Sequence, residues 1–516
     1  MMNHIKKGIF LGGLLAVLVA GAMGQVKRSA FDVTNYTMDV TISPVERKLS
    51  ATVDVAFTPL EDTRSVAFEL NGSLKIDSIA RMDRAVVLTP SASPAPKTPV
   101  KVPQPAQPAV TFVQDQTNSS DLGPHVRIDL GADVPKGTSV VLRFKYSGVL
   151  DTAAGGPLLN KRLAAIGENL GYLMYAGRWF PFHEYASDRA AADISVTLPA
   201  GYQVAAYSEQ PAAMSGGKYR FSQTTPALIG TLAYGKFTPR TLRIGEHELQ
   251  FFAKPGNDER IAAYGETLGK ALTYYTRKFG TPASGKKLIV AQIDDESLET
   301  YSAPGLILIG NRQFEEAREA THARLQREAA YQWWGHTVGL KSFDDAWLSQ
   351  GLAEYSAFAV REGETELAKL DGIRRELLEK ALTFEQTVSI LRAPATLDDQ
   401  SIGYQYIMYA KGAFVFKLLR DTLGQDKFDQ LLRTFLAEFR GENASIDDFE
   451  KLASRIHGQP MRYFIARWVE ATGVPEFSSD YLIIRTRGGK FVARGTVKQN
   501  YDNLRLPVDV QLRSEG

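Results

Sequence analysis

The 516-residue chain contains no cysteine. Disulfides, thiol nucleophiles, iron–sulfur clusters and cysteine-based zinc sites are therefore excluded. Histidine is scarce. There are seven, none lies three, four or five residues from another, and the nearest two, His322 and His336, are 14 apart. Along one helix that is roughly 21 Å, too far to share an ion, so both read as surface or hydrogen-bonded side chains. Excess charge is missing as well: 60 basic residues face 58 acidic ones, and Lys6 and Lys7 account for the difference. A neutral chain gives no case for nucleic acid or an anionic membrane as the main partner.

What is present is the composition of a globular protein. With 44% hydrophobic and 23% charged residues, the chain is neither disordered nor collagen-like. At about 100–200 residues per domain, its length predicts two to four domains. Residues 1–7 are basic, 8–22 are apolar and uncharged, and Ala22-Met23-Gly24 puts small residues where a signal peptidase reads. This predicts a signal peptide over 1–24, cleaved before Gln25, and an exported, periplasmic or extracellular protein. The competing reading, an uncleaved anchor, needs about 20 apolar residues, and the run is shorter. No stable membrane anchor is expected after cleavage.

From residue 35 to about 249 the pattern alternates apolar and polar, as in 36–42, 51–57, 139–144 and 193–199. Such runs, rich in Val, Thr and Phe and separated by Gly and Pro, predict a half-buried antiparallel sheet. Seven prolines crowd residues 90–108, which makes that stretch an extended surface insertion. Near Pro255 the period lengthens. Ile261, Tyr264, Leu268, Leu272 and Tyr275 mark a helix over 257–279. Further helical patterns run over 313–335, 345–361, 366–382, 406–423 and 427–439, and short strands over 288–291 and 306–309. Alternation returns at 481–485 and 508–512. The expected organisation is α+β and multidomain: an N-terminal antiparallel β-domain over 25–250, a mainly helical domain over 251–475 and a short C-terminal β-segment over 476–516.

Two weaker motifs lead nowhere. Residues 280–287 approach a phosphate-binding loop, but Lys287 stands where Ser or Thr would ligate magnesium, and a strand follows instead of a helix. An ordinary helix-to-strand turn is expected. Sequons at Asn35, Asn71, Asn118 and Asn443 signify accessible backbone at most. The informative stretch is Arg327-Glu328-Ala329-Ala330-Tyr331-Gln332-Trp333-Trp334-Gly335, followed by Trp347-Leu348-Ser349-Gln350-Gly351-Leu352-Ala353-Glu354-Tyr355. Taken alone, it is a pair of helices packing bulky aromatics at their junction.

These residues resemble the M1 zinc aminopeptidases, of the gluzincin class. Members carry HExxH, then 18 residues, then Glu. Gln332-Trp333-Trp334-Gly335 and the segment around Gln350 occupy the places of the family's aromatic-rich flanks, and 18 residues separate Tyr331 from Gln350. Tyr409-Ala410-Lys411-Gly412 matches a further signature, and Gly305-Leu306-Ile307 matches the strand after the family's GAMEN motif. The resemblance runs from about Asn35 to the end and is strongest over 306–412. It implies a thermolysin-like helical domain and a cleft between that domain and the β-domain.

In the same register the family's zinc ligands are replaced by Arg327, Tyr331 and Gln350. Arginine has no lone pair to give, tyrosine would have to bind as phenolate, and glutamine offers only a neutral carbonyl. Ser302, beside Tyr301, replaces the Glu that holds a substrate's amino group. Glu328 and Tyr409 keep the places of the general base and of the hydroxyl that stabilises the transition state. Without metal-activated water they read as vestigial, Glu328 as counter-ion to an arginine and Tyr409 as a wall of the cleft. A further hypothesis puts Arg327 in zinc's place as the positive charge that neutralises Glu328 or Glu354. The expected protein is M1-like, zinc-less and catalytically inactive, with no cofactor, and binds a peptide or protein ligand in the interdomain cleft. The alternatives are an active metallopeptidase with a relocated metal, for which zinc would be the cofactor, metal-free acid–base hydrolysis through Glu328 and Tyr409, and a purely structural role in an envelope assembly.

Overall fold

A computed structural model describes residues 30–82, 109–115, 125–150, 153–154, 161–295, 298–316, 319–397, 401–501 and 504. The expected signal peptide, the proline-rich insertion, Asn118 and the 508–512 strand lie outside the described residues.

The first half is built of β-sheets. A seven-stranded sheet centres on Phe31–Ser43 and Lys48–Pro59, flanked by Val140–Val149 on one side and Ala190–Thr197 on the other. Phe31–Ser43 alternates buried and exposed side chains along most of its length, as a sheet with one wet face requires. Its pairing with Ala190–Thr197 is parallel, whereas its other neighbour, Lys48–Pro59, is antiparallel. A five-stranded and a three-stranded sheet complete this half, closing on a core that includes Trp179, Phe68, Phe144 and Tyr146. Asn71, read from its sequon as accessible, is fully buried, and its Oδ1 accepts from the Ser73 backbone N–H at 2.9 Å. The local turn claims the side chain.

The change of architecture comes before residue 250. Strand His247–Ala253 straddles that residue, pairs with Thr238–Ile244, and lies parallel to Lys287–Ile293. These strands form a five-stranded sheet with Leu306–Gly310 and, at its edge, Thr300–Ala303. Helix Asp258–Phe279 covers the sheet with the five apolar residues of its stripe buried. Asp258 and Glu259 in its first turn, with Arg277 and Lys278 in its last, suit the helix dipole. Residues 280–287 form the turn into strand Lys287–Ile293.

The remaining helices form a second core around Trp333, Trp334, Trp347 and Phe416. The single helix expected over 313–335 is two, Asn311–Glu315 and Glu319–Ala330. The pattern over 406–423 likewise divides into a π-helical segment, Gln405–Lys411, and an α-helix, Gly412–Leu423. Helix Ile446–His457, which the sequence pattern did not single out, opens with a capping box between Ser445 and Asp448. Strands Phe477–Arg485 and Phe491–Gln499 pair as an exposed hairpin. Among the described residues no helix is long and apolar enough to cross a membrane.

Candidate functional site

Four pieces of backbone meet around Arg327. Helix Glu319–Ala330 supplies Arg327 and Glu328 from its last turns and stops at Ala330. Tyr331 therefore stands in the following turn, although its N–H still reaches the Arg327 carbonyl at 3.3 Å. That turn is pinned by the two tryptophans after it. Trp333 Nε1 donates to the Gly280 carbonyl at 2.6 Å, and Trp334 Nε1 to Ser356 Oγ at 3.0 Å.

Helix Trp347–Glu364 brings Gln350 and Glu354, and the π-helical segment brings Tyr409. Two glycines set their approach. The Cα of Gly351 would lie 3.2 Å from a Cβ added at Gly412, and a Cβ on Gly351 itself would lie 2.6 Å from the Trp347 ring. A Cβ at Gly351 would clash, and one at Gly412 would be tight. Trp347 stacks on Phe416 at 4.3 Å and donates to the Gly412 carbonyl at 3.2 Å. Lys411 is buried against Glu385 at 3.2 Å, and Glu385 also accepts from the Gly473 N–H at 2.7 Å. The Tyr-x-Lys-Gly signature is thus partly architectural here: Lys411 and Gly412 hold the segment that presents Tyr409.

The electrostatics centre on Arg327, whose side chain is 20% exposed. Its guanidinium lies 3.5 Å from Glu354 Oε2 and 3.6 Å from Glu328 Oε1, and it stacks over the Tyr409 ring at 4.4 Å. Burial works against its charge, but Tyr409, Glu354 and Glu328 outweigh burial and hold its pKa above the ordinary arginine range. Glu328 also accepts from Thr300 Oγ1 at 3.2 Å. Burial drives the Tyr331 phenol well above its usual pKa, and the neighbouring Tyr409 adds to the rise. Gln350 Oε1 is taken up by the Tyr404 hydroxyl at 2.9 Å.

Strand Thr300–Ala303 closes one side. Ser302 is buried: its hydroxyl donates to the Glu328 carbonyl at 3.1 Å, accepts from Gln332 Nε2 at 3.1 Å and lies 3.2 Å from His336 Nε2. It ties the strand to the end of the Arg327 helix. Tyr301 packs against the core of the β-rich half, and burial, followed by Tyr185 and Glu328, raises its pKa. Gly305, at φ +66°, makes the tight turn after this strand, and its N–H donates to Gln332 Oε1 at 2.8 Å. His322, 2.6 Å from Thr267 Oγ1, stands apart from His336.

The structure thus brings Arg327, Glu328, Tyr331 and Tyr409 together, with Gln350 one layer behind on Tyr404. It adds the contacts of Thr300, Gln332, His336 and Tyr404; the sequence set Gln332 in the aromatic-rich flank and read His336 as a surface or hydrogen-bonded side chain, without their partners. No spacing signal could have found these partners, because they lie on other elements.

A tetrahedral zinc needs three side chains with available lone pairs. Arg327 has none, Tyr331 is pushed away from phenolate, and the Gln350 carbonyl is already bonded. These residues do not fit zinc. Among the described residues no group of three or more His, Asp or Glu is placed to hold an ion.

Residues 266–468 match the peptidase family M1 domain. The chain carries an M1 domain. It is 24% identical over 326 residues to glutamyl aminopeptidase of Rattus norvegicus, covering 58% of this chain and 34% of that protein. It is 22% identical over 327 residues to probable aminopeptidase 1 of Sulfurisphaera tokodaii, covering 58% and 40%. The chain therefore spans about a third to two fifths of the length of these curated relatives. The crystal structure of an M1 zinc metallopeptidase from Deinococcus radiodurans superposes with a TM-score of 0.68 at 21% identity, covering 87% of this chain and 95% of that one. The fold is the two-domain M1 arrangement, β-rich first and helical second.

Proposed function

We propose that this M1-like protein has lost zinc peptidase chemistry and keeps the site as a binding surface for peptide or protein segments. One observation supports the reading: of the residues that the family register sets at the ligand positions, Arg327 has no lone pair and lies against Glu328 and Glu354, Tyr331 is held as a neutral phenol, and the Gln350 carbonyl accepts from Tyr404. Glu328 and Tyr409 survive, but a carboxylate base without metal-activated water faces a pKa of about 15.7. Glu328 lies against Arg327, which favours its role as a counter-ion, and the Tyr409 ring lies beneath the same guanidinium. Ser302, engaged with Glu328, Gln332 and His336, is in no position to anchor an amino terminus as a carboxylate would. The signal-like N-terminus supports export, with the peptide ligand met outside the cytoplasm.

The test is hydrolysis of aminoacyl-fluorophore substrates by the purified full chain, with and without a chelator, beside a peptide-binding titration. The expected outcome is peptide binding with no turnover. Chelator-sensitive turnover would replace this reading with that of an active metallopeptidase.

A further inference from the structure

Beside Arg327 a cavity of about 600 Å³ opens among helices. Four fixed cations (Arg324, Arg327, Arg361 and Lys380) and two carboxylates (Glu354 and Glu376) line it. Two of the cations are already closed off. Arg324 pairs with Glu299, and Lys380 reaches Glu376 at 2.6 Å. Arg327 and Arg361 are different. They share Glu354, one on each oxygen, at 3.5 and 3.6 Å, and among the described residues the only other carboxylate contact of Arg327 is Glu328 at 3.6 Å. A charge-assisted hydrogen bond is normally about 2.7–2.9 Å, so every one of these contacts is long. The Nε atoms of both arginines are buried and have no hydrogen-bond partner. Two guanidiniums carry ten N–H donors, and among the described residues they make one hydrogen bond between them, at 3.5 Å.

Two buried donors left unmet side by side are costly unless something takes them up. We propose that the cavity is a carboxylate site, which seats an acidic group of the peptide ligand between Arg327 and Arg361. The inference rests on the peptide-binding reading and names the chemistry of its ligand. A planar monoanion suits two guanidinium forks. A phosphate dianion suits the site less well, because Glu354 and Glu376 on the walls repel the second charge. Ile373, Leu377 and Tyr406 provide apolar wall for the aliphatic stem of the ligand.

The test titrates the full chain with three blocked tripeptides. One has a central glutamate and an amidated end, one is its glutamine isostere, and one has neutral side chains and a free terminal carboxylate. Preference for the glutamate peptide over the isostere by about tenfold is expected, as for a hydrogen bond to a charged group. Arg361→Gln should bring the glutamate peptide down to the level of the isostere. Should that variant misfold, Lys380→Glu, at a half-exposed side chain, should weaken the glutamate peptide about fivefold by like-charge repulsion and leave the isostere unchanged. Tight binding of the free-ended peptide alone would identify a chain terminus as the source of the carboxylate and uphold the site. Equal binding of glutamate and glutamine peptides, with the free-ended peptide no tighter, would overturn the carboxylate site and leave the peptide-binding reading intact. Failure of all three peptides to bind would overturn both. Inorganic phosphate competing more strongly than butyrate at matched ionic strength would overturn the choice of carboxylate.

Discussion

Helix Trp347–Glu364 makes two contacts of opposite character within a few turns. At its start it meets the Gly412–Leu423 helix through an apolar seam, with Trp347 stacked on Phe416 and glycines at the point of closest approach. Further along, Glu354 and Arg361 face the Arg327 cavity through contacts of 3.5–3.6 Å, with buried nitrogens left unbonded. The seam is packed as a protein interior is packed. The cavity is loose, charged and open. The difference teaches that close-packed apolar geometry holds the two-domain fold together, while the site around Arg327 rests on long ionic contacts.

Breaking the seam should have the largest effect. Trp347→Ala removes a fully buried ring and leaves the Gly412 carbonyl without its donor. A loss of roughly 4 kcal/mol is expected from chemical denaturation. A loss under about 1 kcal/mol would mean that the seam is not the framework. The cavity should be more forgiving. Arg327→Met leaves Glu328 and Glu354 without their shared cation, and the expected loss is about 3 kcal/mol. Arg327→Lys should recover part of it, because a charge is kept but the fork and the stacking on Tyr409 are lost. An Arg327→Met protein as stable as the parent would show that the cation neutralises nothing.

The fold was readable from the sequence where one local signal sufficed. Period-two runs announced the strands around Val40 and Val55, and the 3.6-residue stripe from Ile261 to Tyr275 announced its helix. The register from Tyr331 to Gln350 is likewise legible in the sequence alone. Long-range matters were hidden. The break at residue 331, where helix gives way to turn, depends on Trp333 reaching Gly280 and Trp334 reaching Ser356. The π-helical segment before Gly412 has no periodicity that marks it in advance. Nothing in the spacing around Ser302 reveals that it joins His336 and Gln332. The bond from Tyr404 to Gln350 likewise links residues 54 apart.

His336 offers a finer comparison, since it lies on the strand side of the same site. Burial, and then the charge of Arg189, lower its pKa to about 3, against about 6.5 in an unfolded chain. Between those values the unfolded chain binds a proton that the folded chain refuses, so stability is full above pH 6.5 and falls as the pH drops towards 3. By pH 5 this group should cost about 2 kcal/mol. His336→Gln should flatten that part of the slope in urea midpoints compared at pH 7 and pH 5. An unchanged slope would mean that His336 is protonated freely in the fold.

The central claim concerns three side chains, and metal binding tests it most directly. Zinc should be titrated calorimetrically into the chelator-treated full chain and into Arg327→His/Tyr331→His/Gln350→Glu. The account predicts no saturable site in the parent and one tight site per chain in the triple variant. Exopeptidase turnover of that variant should remain weak until Ser302→Glu is added. Stoichiometric zinc held by the parent through its own Arg327, Tyr331 and Gln350 positions would contradict the account.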